Sequence, residues 1–143
     1  MPQPARLDDQ KPGDYSDPGW YKHPAGSIAR EWQGFGAQKN FAVAQAANDW
    51  VLCLDADERV SAPLAAAIRA AFAAGPPNAP AYALARRNRF LGRWLAHGEG
   101  YPDWNVRLFD RRRARWTDDV VHEHVVADGP VERLSGDLLH ASA

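Results

Sequence analysis

The sequence predicts an α/β domain, and three observations lead to that class. Residues 37–47 carry apolar side chains at helical spacing. Residues 50–54 then form a continuous apolar run with β-branched and aromatic members, WVLCL, which is typical of a buried strand and favours parallel pairing. An acidic turn, a second helix and several shorter strands follow in that order, as expected where helices and strands alternate.

Composition limits the other possibilities. The chain has 143 residues, enough for one domain with a real core, and its 45% hydrophobic and 24% charged residues are ordinary for a globular protein. A net charge of −1 argues neither for nor against a nucleic-acid partner. Cys53 is the only cysteine, which excludes an internal disulfide framework and favours a reducing, cytosolic setting. The sequence contains no apolar run long enough to span a bilayer.

The first thirty residues differ from the rest. They contain five prolines and few aliphatic side chains, so they cannot bury enough apolar surface to offset their ordering entropy. We therefore expect two parts: an irregular leader over 1–30, and a folded domain over 31–143.

The elements of the domain follow from local signals. Ser61 or Ala62 opens the second helix, Pro63 suits its first turn, and the Gly-Pro-Pro at 75–77 ends it. Further along, residues 82–90 read as a strand with an arginine-rich outer edge, and 91–102 as a loop. The segments 105–110, 115–117 and 120–127 read as strands or turns, and 131–140 as one more short strand.

The acidic turn Asp55-Ala56-Asp57-Glu58 has two interpretations. At the carboxyl end of a buried strand, two carboxylates can face a common point and hold Mg²⁺ or Mn²⁺ together with a substrate diphosphate. Alternatively, the turn is solvated, and Asp57 or Glu58 caps the following helix. The sequence leaves the two about equally favoured.

Residues 86–115 carry nine arginines against three acidic residues, with tryptophan and tyrosine interleaved. Such a segment can form a phosphate-binding face, a nucleic-acid surface, or a solvated strand edge above a core of aromatics. Within it, Asp103 lies between Pro102 and Trp104 and suits a general base whose ionisation neighbouring arginines favour. The simpler alternative is a structural ion pair, for instance with Arg107.

The tripeptide His122-Glu123-His124 falls in a predicted strand, which would put the two histidines on one face and Glu123 on the other. Two such histidines could bind zinc, with His97 or His140 as a third ligand. Histidines packed or hydrogen-bonded at a sheet surface are the alternative.

Five ordered segments resemble a known family. GFGAQKNFAVAQAANDWVLCLDADERV is similar to the central part of family 2 glycosyltransferases, which have the GT-A fold, a Rossmann-like fold that binds nucleotide-diphospho-sugars. RRNRFLGRWLAHGEGYPDWNVRLFDRRRARW, VHEHV and GDLLH resemble the bacterial branch near the lipopolysaccharide-core β-glucosyltransferases. The resemblance covers about residues 30–142, so the expected fold is the C-terminal portion of a GT-A domain.

The resemblance implies an inverting transfer of a sugar, glucose in that branch, from a nucleotide-diphosphate donor (a UDP-sugar) to a lipopolysaccharide or other glycolipid acceptor. It implies a catalytic carboxylate and a metal, Mg²⁺ or Mn²⁺. We expect no nucleic-acid partner, and peripheral association at the cytoplasmic membrane face stays open. Carried over by position, Asp103 is the catalytic base, and Asp57, Asp55 and His122 approach the metal. The implied donor-binding residues are Lys39, Asn40, Asp55, Arg86, Arg89 and Arg107.

The first thirty residues depart from the family pattern, because family members begin with strands that hold the nucleotide base and ribose. We therefore expect a truncated nucleotide pocket, an exposed apolar flank on the 50–54 strand, and weak or absent activity for the isolated chain. The competing functions are a non-catalytic interaction module and, less favoured, an arginine-rich nucleic-acid-binding domain, which strong salt dependence of binding would reveal.

Overall fold

The computed structural model describes residues 33–119 and 122–141, so the leader expected over 1–30 lies outside the described residues. The first helix, α1, spans Phe35–Ala44 and begins slightly earlier than predicted. Gly36 lets α1 approach the main chain closely, since a Cβ there would lie 3.0 Å from the carbonyl carbon of Thr117 and 3.2 Å from Cα of Asp118. This contact fixes one end of α1 against the later part of the chain.

Strands β1 (Trp50–Leu52) and β2 (Glu58–Val60) flank the acidic turn, and helix α2 spans Ala62–Ala71. Ser61 is the N-cap of α2, because its hydroxyl accepts a hydrogen bond from the Leu64 amide at 3.3 Å. The predicted start of this helix is therefore confirmed. The alternative in which Asp57 or Glu58 caps it is wrong.

The remaining strands are β3 (Ala81–Phe90), β4 (Arg93–Trp94), β5 (Asp103–Asp110), β6 (Ala114–Trp116), β7 (Val125–Ala127) and β8 (Val131–His140). The predicted strand over 120–127 is shorter in the structure, and residues 122–124 lie outside any strand. The alternation expected for His122, Glu123 and His124 therefore has no strand to impose it.

The main sheet has the strand order β1-β5-β3-β8-β2, with β4 paired to β3, while β6 and β7 form a separate two-stranded sheet. Strand β3 pairs in parallel with β8, and the other pairings are antiparallel. The parallel pairing expected for β1 is wrong within the described residues, because its partner there is β5, which runs in the opposite direction.

Strand β1 is also less buried than its apolar run predicts. Leu52 and Leu54 are 37% and 44% exposed, whereas Trp50 and Val51 are half-buried. Trp50 packs its ring against Phe72 at 5.1 Å and Tyr82 at 5.9 Å between ring centroids. Val51 and Cys53 thus pack against the core, whereas Leu52 and Leu54, which alternate with them, are exposed.

Strand β8 has the predicted bounds, 131–140, and at ten residues it is longer than the short strand expected there. It lies between β3 and β2, and it passes the start of α2 at Gly136, which has a φ of 90°. A Cβ on Gly136 would lie 2.6 Å from the Cα of Leu64, so only glycine allows this approach.

Two apolar clusters form the core of the unit that begins at Phe35. One contains Ala81, Phe109 and Trp116, with Val43 of α1 packed against it. The other joins Leu64 of α2 to Leu84 and Leu138. Because side chains alternate along a strand, Ala81 and Leu84 point to opposite faces of β3, and each face of the sheet is covered by one cluster. Neither helix within 33–119 and 122–141 has the length and apolarity to cross a membrane.

Candidate active site

A buried carboxylate lies at the end of the acidic turn. The Glu58 side chain is fully buried and accepts hydrogen bonds from both terminal nitrogens of Arg107, at 2.5 and 3.2 Å. The Nε of Arg86 forms an ion pair with Oε2 of Glu58 at 2.8 Å. Burial alone would raise the pKa of Glu58, but the hydrogen bonds from Arg107 and the nearby positive charges hold it below its ordinary value. Glu58 is thus an ionised anchor that joins β2, β3 and β5.

The turn is closed by its own hydrogen bonds and points Asp55 toward Arg107. The Asp55 amide donates to Glu58 Oε1 at 2.8 Å, and the Glu58 amide donates to the Asp55 carbonyl at 3.0 Å. Arg107 reaches Asp55 Oδ2 at 3.6 Å and also donates to the Cys53 carbonyl. The structural ion pair considered between Asp103 and Arg107 is therefore wrong, since Arg107 is engaged by Glu58 and Asp55.

Asp57 contacts the last residue of β8. Its Oδ2 lies 2.7 Å from Nε2 of His140, whose Nδ1 lies 2.7 Å from Oδ1 of Asn88. Desolvation would raise the pKa of Asp57, but the hydrogen bond and charge of His140 lower it. The last residue of β8 therefore orients the second aspartate of the turn.

Lys39 approaches Asp55 and Arg107 from α1. Its Nζ lies 3.1 Å from Oε1 of Glu123 and 4.2 Å from the ring centroid of Trp116. Desolvation would raise the pKa of Glu123, but its backbone hydrogen bond and the contact with Lys39 lower it. The loop 122–124 is thus attached to α1 through a charged pair rather than through strand pairing.

Asn40 holds α1 to β6 with two hydrogen bonds. Its Nδ2 donates to the Trp116 carbonyl at 2.8 Å, and its Oδ1 accepts from the Trp116 amide at 3.0 Å. Because Asn40 follows Lys39 directly, this amide clamp fixes where the lysine emerges from the helix.

Two cavities meet at these residues. The first, about 420 Å³, lies between α1 and β1, and the second, about 400 Å³, lies beside β5 and the 122–124 loop. Both are lined by Lys39, Asp55, Arg107 and Trp116. Arg86, Trp104 and Glu123 line the second cavity as well. The structure therefore brings together residues from six separate segments of the chain around one charged and aromatic surface.

The other predicted site residues lie around this surface. Asp103 begins β5, is half-buried, and is paired in register with Arg86, next to Trp104. Arg89 is further along β3, where its guanidinium lies 5.9 Å from the Trp94 ring, and it lines neither cavity. His122 is exposed, and its carbonyl lies 2.8 Å from Nδ1 of His124.

A divalent metal can be tested against these groups. Glu58 is engaged with two arginines, whereas the carboxylates of Asp55 and Asp57 are each 46% exposed. Within 33–119 and 122–141, no group of three or more potential ligands is assembled. Two exposed carboxylates nevertheless fit Mg²⁺ or Mn²⁺, which are held by one or two carboxylates, waters and substrate phosphates. The zinc site considered for His122 and His124, with His97 or His140 as a third ligand, needs three or four protein ligands, and the described residues assemble no such group.

Sequence reasoning did not predict the Glu58–Arg107 pair, the Lys39–Glu123 pair or the contact between His140 and Asp57. For the first pair a signal is present. Arg107 stands inside an apolar stretch, NVRLF, and a cation within a buried strand requires an opposite charge. For the other two pairs no signal is local, because the partners are 84 and 83 residues apart.

Comparison with known proteins identifies the class. Residues 14–127 match the family described as "Glycosyl transferase family 2", and the chain belongs to that family. The match begins inside the 1–30 segment. With this assignment, the mixed sheet and the helices that cover it are part of a GT-A fold, as the resemblance implied. Enzymes of the family generally use a divalent metal, a nucleotide-sugar donor and a saccharide or lipid acceptor.

A curated relative is also similar to the chain. The "Lipopolysaccharide core biosynthesis glycosyltransferase LpsC" of Rhizobium meliloti (strain 1021) is 31% identical over 128 residues. The aligned region covers 88% of this chain and 46% of the relative, so the chain spans about half the length of the relative it matches. No solved structure matches the chain significantly.

Proposed function

We propose that the chain binds a nucleotide-diphosphate sugar, a UDP-sugar, and takes part in inverting transfer of glucose to a lipopolysaccharide or other glycolipid acceptor. One observation supports this most directly: the two cavities share a lysine, an arginine, an aspartate and a tryptophan that come from distant segments. Such a surface offers cations for a diphosphate and an aromatic face for a base.

Lys39, Arg86 and Arg107 are the groups we assign to the donor diphosphate. Arg86 and Arg107 are oriented by Glu58 from below, and Lys39 by Glu123 and Trp116. Because the guanidinium and ammonium groups are already held, little side-chain entropy is lost when an anion binds. Asn40 supports this arrangement by fixing α1 against β6.

Asp57 and Asp55 are the residues that we propose would hold the divalent metal. When bound, the metal would neutralise the developing charge of the leaving diphosphate. His140 orients Asp57, and the Asp55 carboxylate is balanced by Arg107. His122 stays a predicted contributor from the same loop that carries Glu123.

Asp103 is the residue we propose as the general base. It lies where β5 begins, paired in register with Arg86 and next to Trp104, two residues that line the second cavity. An ionised carboxylate in that position can accept the proton of an acceptor hydroxyl as that oxygen attacks the anomeric carbon. The name of the R. meliloti relative supports a lipopolysaccharide acceptor.

Tryptophan fluorescence offers a direct test of donor binding, because Trp104 and Trp116 line the second cavity. We expect UDP to change the emission of the 143-residue chain in Mn²⁺, and we expect EDTA to abolish the change. Asp57→Ala should remove the Mn²⁺ dependence, because it deletes a proposed ligand. Asp128→Ala is the matched control, since Asp128 is an exposed carboxylate paired with Arg113.

Two results would contradict the proposal. UDP binding that is equal in Mn²⁺ and in EDTA would exclude the metal assignment. A folded chain that shows no UDP binding would exclude the donor site. Circular dichroism of each variant, compared with the parent chain, separates loss of the site from loss of the fold.

A further inference from the structure

We propose that the β3–β4 hairpin tip is a docking surface for an anionic lipid bilayer. We define the hairpin tip as Arg89, Phe90, Leu91, Gly92 and Arg93. Phe90 and Leu91 are 61% and 89% exposed, the two highest values for large hydrophobic residues in the part of the chain that the structure describes. Adjacent exposed apolar side chains at the end of a hairpin form a small projecting surface that water does not favour.

The backbone conformation of the hairpin tip disfavours the leucine that it carries. Phe90 pairs with Arg93, which leaves a two-residue loop in which Leu91 has a φ of 50° and Gly92 a φ of 77°. Two-residue loops with both φ values positive favour Asn, Asp or Gly, and leucine is disfavoured in that conformation. Neither the backbone nor the solvent therefore favours leucine here. An apolar phase that receives the side chain would account for it.

The charge around the hairpin tip indicates which apolar phase this is. Residues 86–96 contain four arginines and no acidic residue, but Arg86 is paired with Glu58 and Arg87 with Asp137. Arg89 is exposed and lies 5.9 Å from the ring of Trp94, while Arg93 is paired with Glu99 at 2.6 Å. An exposed arginine beside a tryptophan and two exposed apolar residues suits the headgroup region of a membrane. The positive charge of Arg89 favours anionic lipids.

The position of the hairpin tip agrees with the proposed function, on which this step rests. Asp103 is paired with Arg86, and Phe90 is four residues further along β3. Phe90 therefore lies on the order of 13 Å along the strand from the position that Asp103 pairs with. A glycolipid acceptor keeps its acyl chains in the bilayer and presents its sugars above the surface. Docking through the hairpin tip would bring the proposed base near those sugars.

Vesicle sedimentation tests the docking surface without any substrate. The full 143-residue chain is mixed with vesicles of phosphatidylcholine containing about 30% phosphatidylglycerol, and with vesicles of phosphatidylcholine alone. We expect binding to the anionic vesicles only. The double substitution F90S/L91S should reduce the partition coefficient at least about tenfold. Val131→Ser is the matched control, because Val131 is 42% exposed on a different strand, and it should bind like the parent chain.

Several results would overturn the proposal. These are a parent chain that binds neither vesicle, equal binding to both vesicles, and an equal loss of binding in F90S/L91S and Val131→Ser. A change of oligomeric state in F90S/L91S, with no vesicle binding by the parent, would assign the surface to self-association instead. UDP binding, measured separately, should be the same in F90S/L91S and the parent. Failure of the membrane proposal can thus be distinguished from failure of the donor site.

Discussion

At the scale of single residues, carboxylates a few positions apart in sequence occupy different environments. Glu58 is buried and ionised between two arginines, whereas Asp55 and Asp57 in the same turn are half exposed. The turn therefore separates a structural role from a ligand-binding role. Asp103 stands apart from them, at the start of β5.

Substitution of Asp103 tests the proposed chemistry at this scale. Asp103→Asn keeps the shape of the side chain but removes the proton acceptor, so transfer from a UDP-sugar to a glycolipid should slow by about 10²-fold or more. A radiolabelled-sugar transfer assay measures the rate. UDP binding, followed by fluorescence, should be unchanged.

The same assay on Asp128→Asn provides the control, because that carboxylate is exposed and lies in a surface ion pair. Equal rates for a parent chain with measurable activity and for Asp103→Asn would contradict the assignment of the base.

Substitution of Glu58 tests the buried ion pair. Glu58→Gln leaves Arg107 and Arg86 without a buried counter-charge, and we expect the free energy of unfolding to fall by about 3 kcal/mol. Urea unfolding followed by tryptophan fluorescence measures this change.

Glu99→Gln is the comparison, since Glu99 pairs with Arg93 at the surface, where ion pairs contribute little. A Glu58→Gln variant whose unfolding midpoint matches that of Glu99→Gln would show that the buried pair does not stabilise the fold.

At the scale of elements, close backbone approaches set the geometry. Gly36 brings α1 to the 117–118 main chain, and Gly136 brings β8 to the start of α2. Both contacts act on elements that carry site residues, since α1 holds Lys39 and β8 ends at His140.

Comparison of Gly136→Ala with Gly75→Ala separates the cost of a steric contact from the cost of the backbone conformation. Gly136 and Gly75 both have positive φ, at 90° and 106°, but a Cβ on Gly75 would meet nothing within 4 Å. Gly75→Ala should therefore cost only the conformational penalty, about 1 kcal/mol. Gly136→Ala should cost about 2 kcal/mol more, because the methyl group meets the backbone of Leu64.

Urea unfolding of the two variants measures both terms. Equal losses of stability would mean that α2 moves away from β8 without cost.

The bounds of the helices and strands were more predictable than the pairing of the strands. The cap of α2 and the strand β3 follow from neighbouring residues, so Ser61, Pro63 and the 82–90 pattern were sufficient. Within the described residues, the pairing predicted for β1 was wrong because its partner there is β5, which is more than fifty residues later in the chain. The bounds of β8 were predicted, but its position between β3 and β2 was not, because those partners are distant in sequence.

At the scale of the whole molecule, the site depends on long-range pairs. Glu58 and Arg107 are 49 residues apart, and Lys39 and Glu123 are 84 apart. The sequence indicates each residue as a candidate, and the family resemblance indicates its role. Only the folded chain shows which charges neutralise one another.

Low pH should reduce the free energy of unfolding of the domain over a defined pH range. The pKa of Glu58 is held below its ordinary value of 4.5, and the hydrogen bonds from Arg112 lower that of Asp110 below 3.8. Hydrogen bonds from Arg93 lower the pKa of Glu99 to about 2. A lowered pKa gives stability that is fully present above the unfolded value and is lost as the pH falls through the folded value. The urea concentration at the unfolding midpoint should therefore decrease as the pH is lowered from about 5 to about 2.

Comparison with Glu58→Gln completes this experiment. The variant lacks one of the carboxylates that must be protonated, so its midpoint should depend less steeply on pH over the same range. An identical pH dependence would show that Glu58 is not ionised in the folded chain below its ordinary pKa.

The position of β8 between β3 and β2 has a consequence for folding during synthesis on the ribosome. Strands β2 and β3 leave the ribosome before residues 131–140 exist, yet β8 is the strand that lies between them. The nascent chain must therefore keep two unpaired strand edges, together with Leu84, exposed until the last strand of the sheet emerges. Chaperones and proteases would meet those edges first. A ribosome stalled before residue 131 would release a chain in which the acidic turn has already been made but His140 has not.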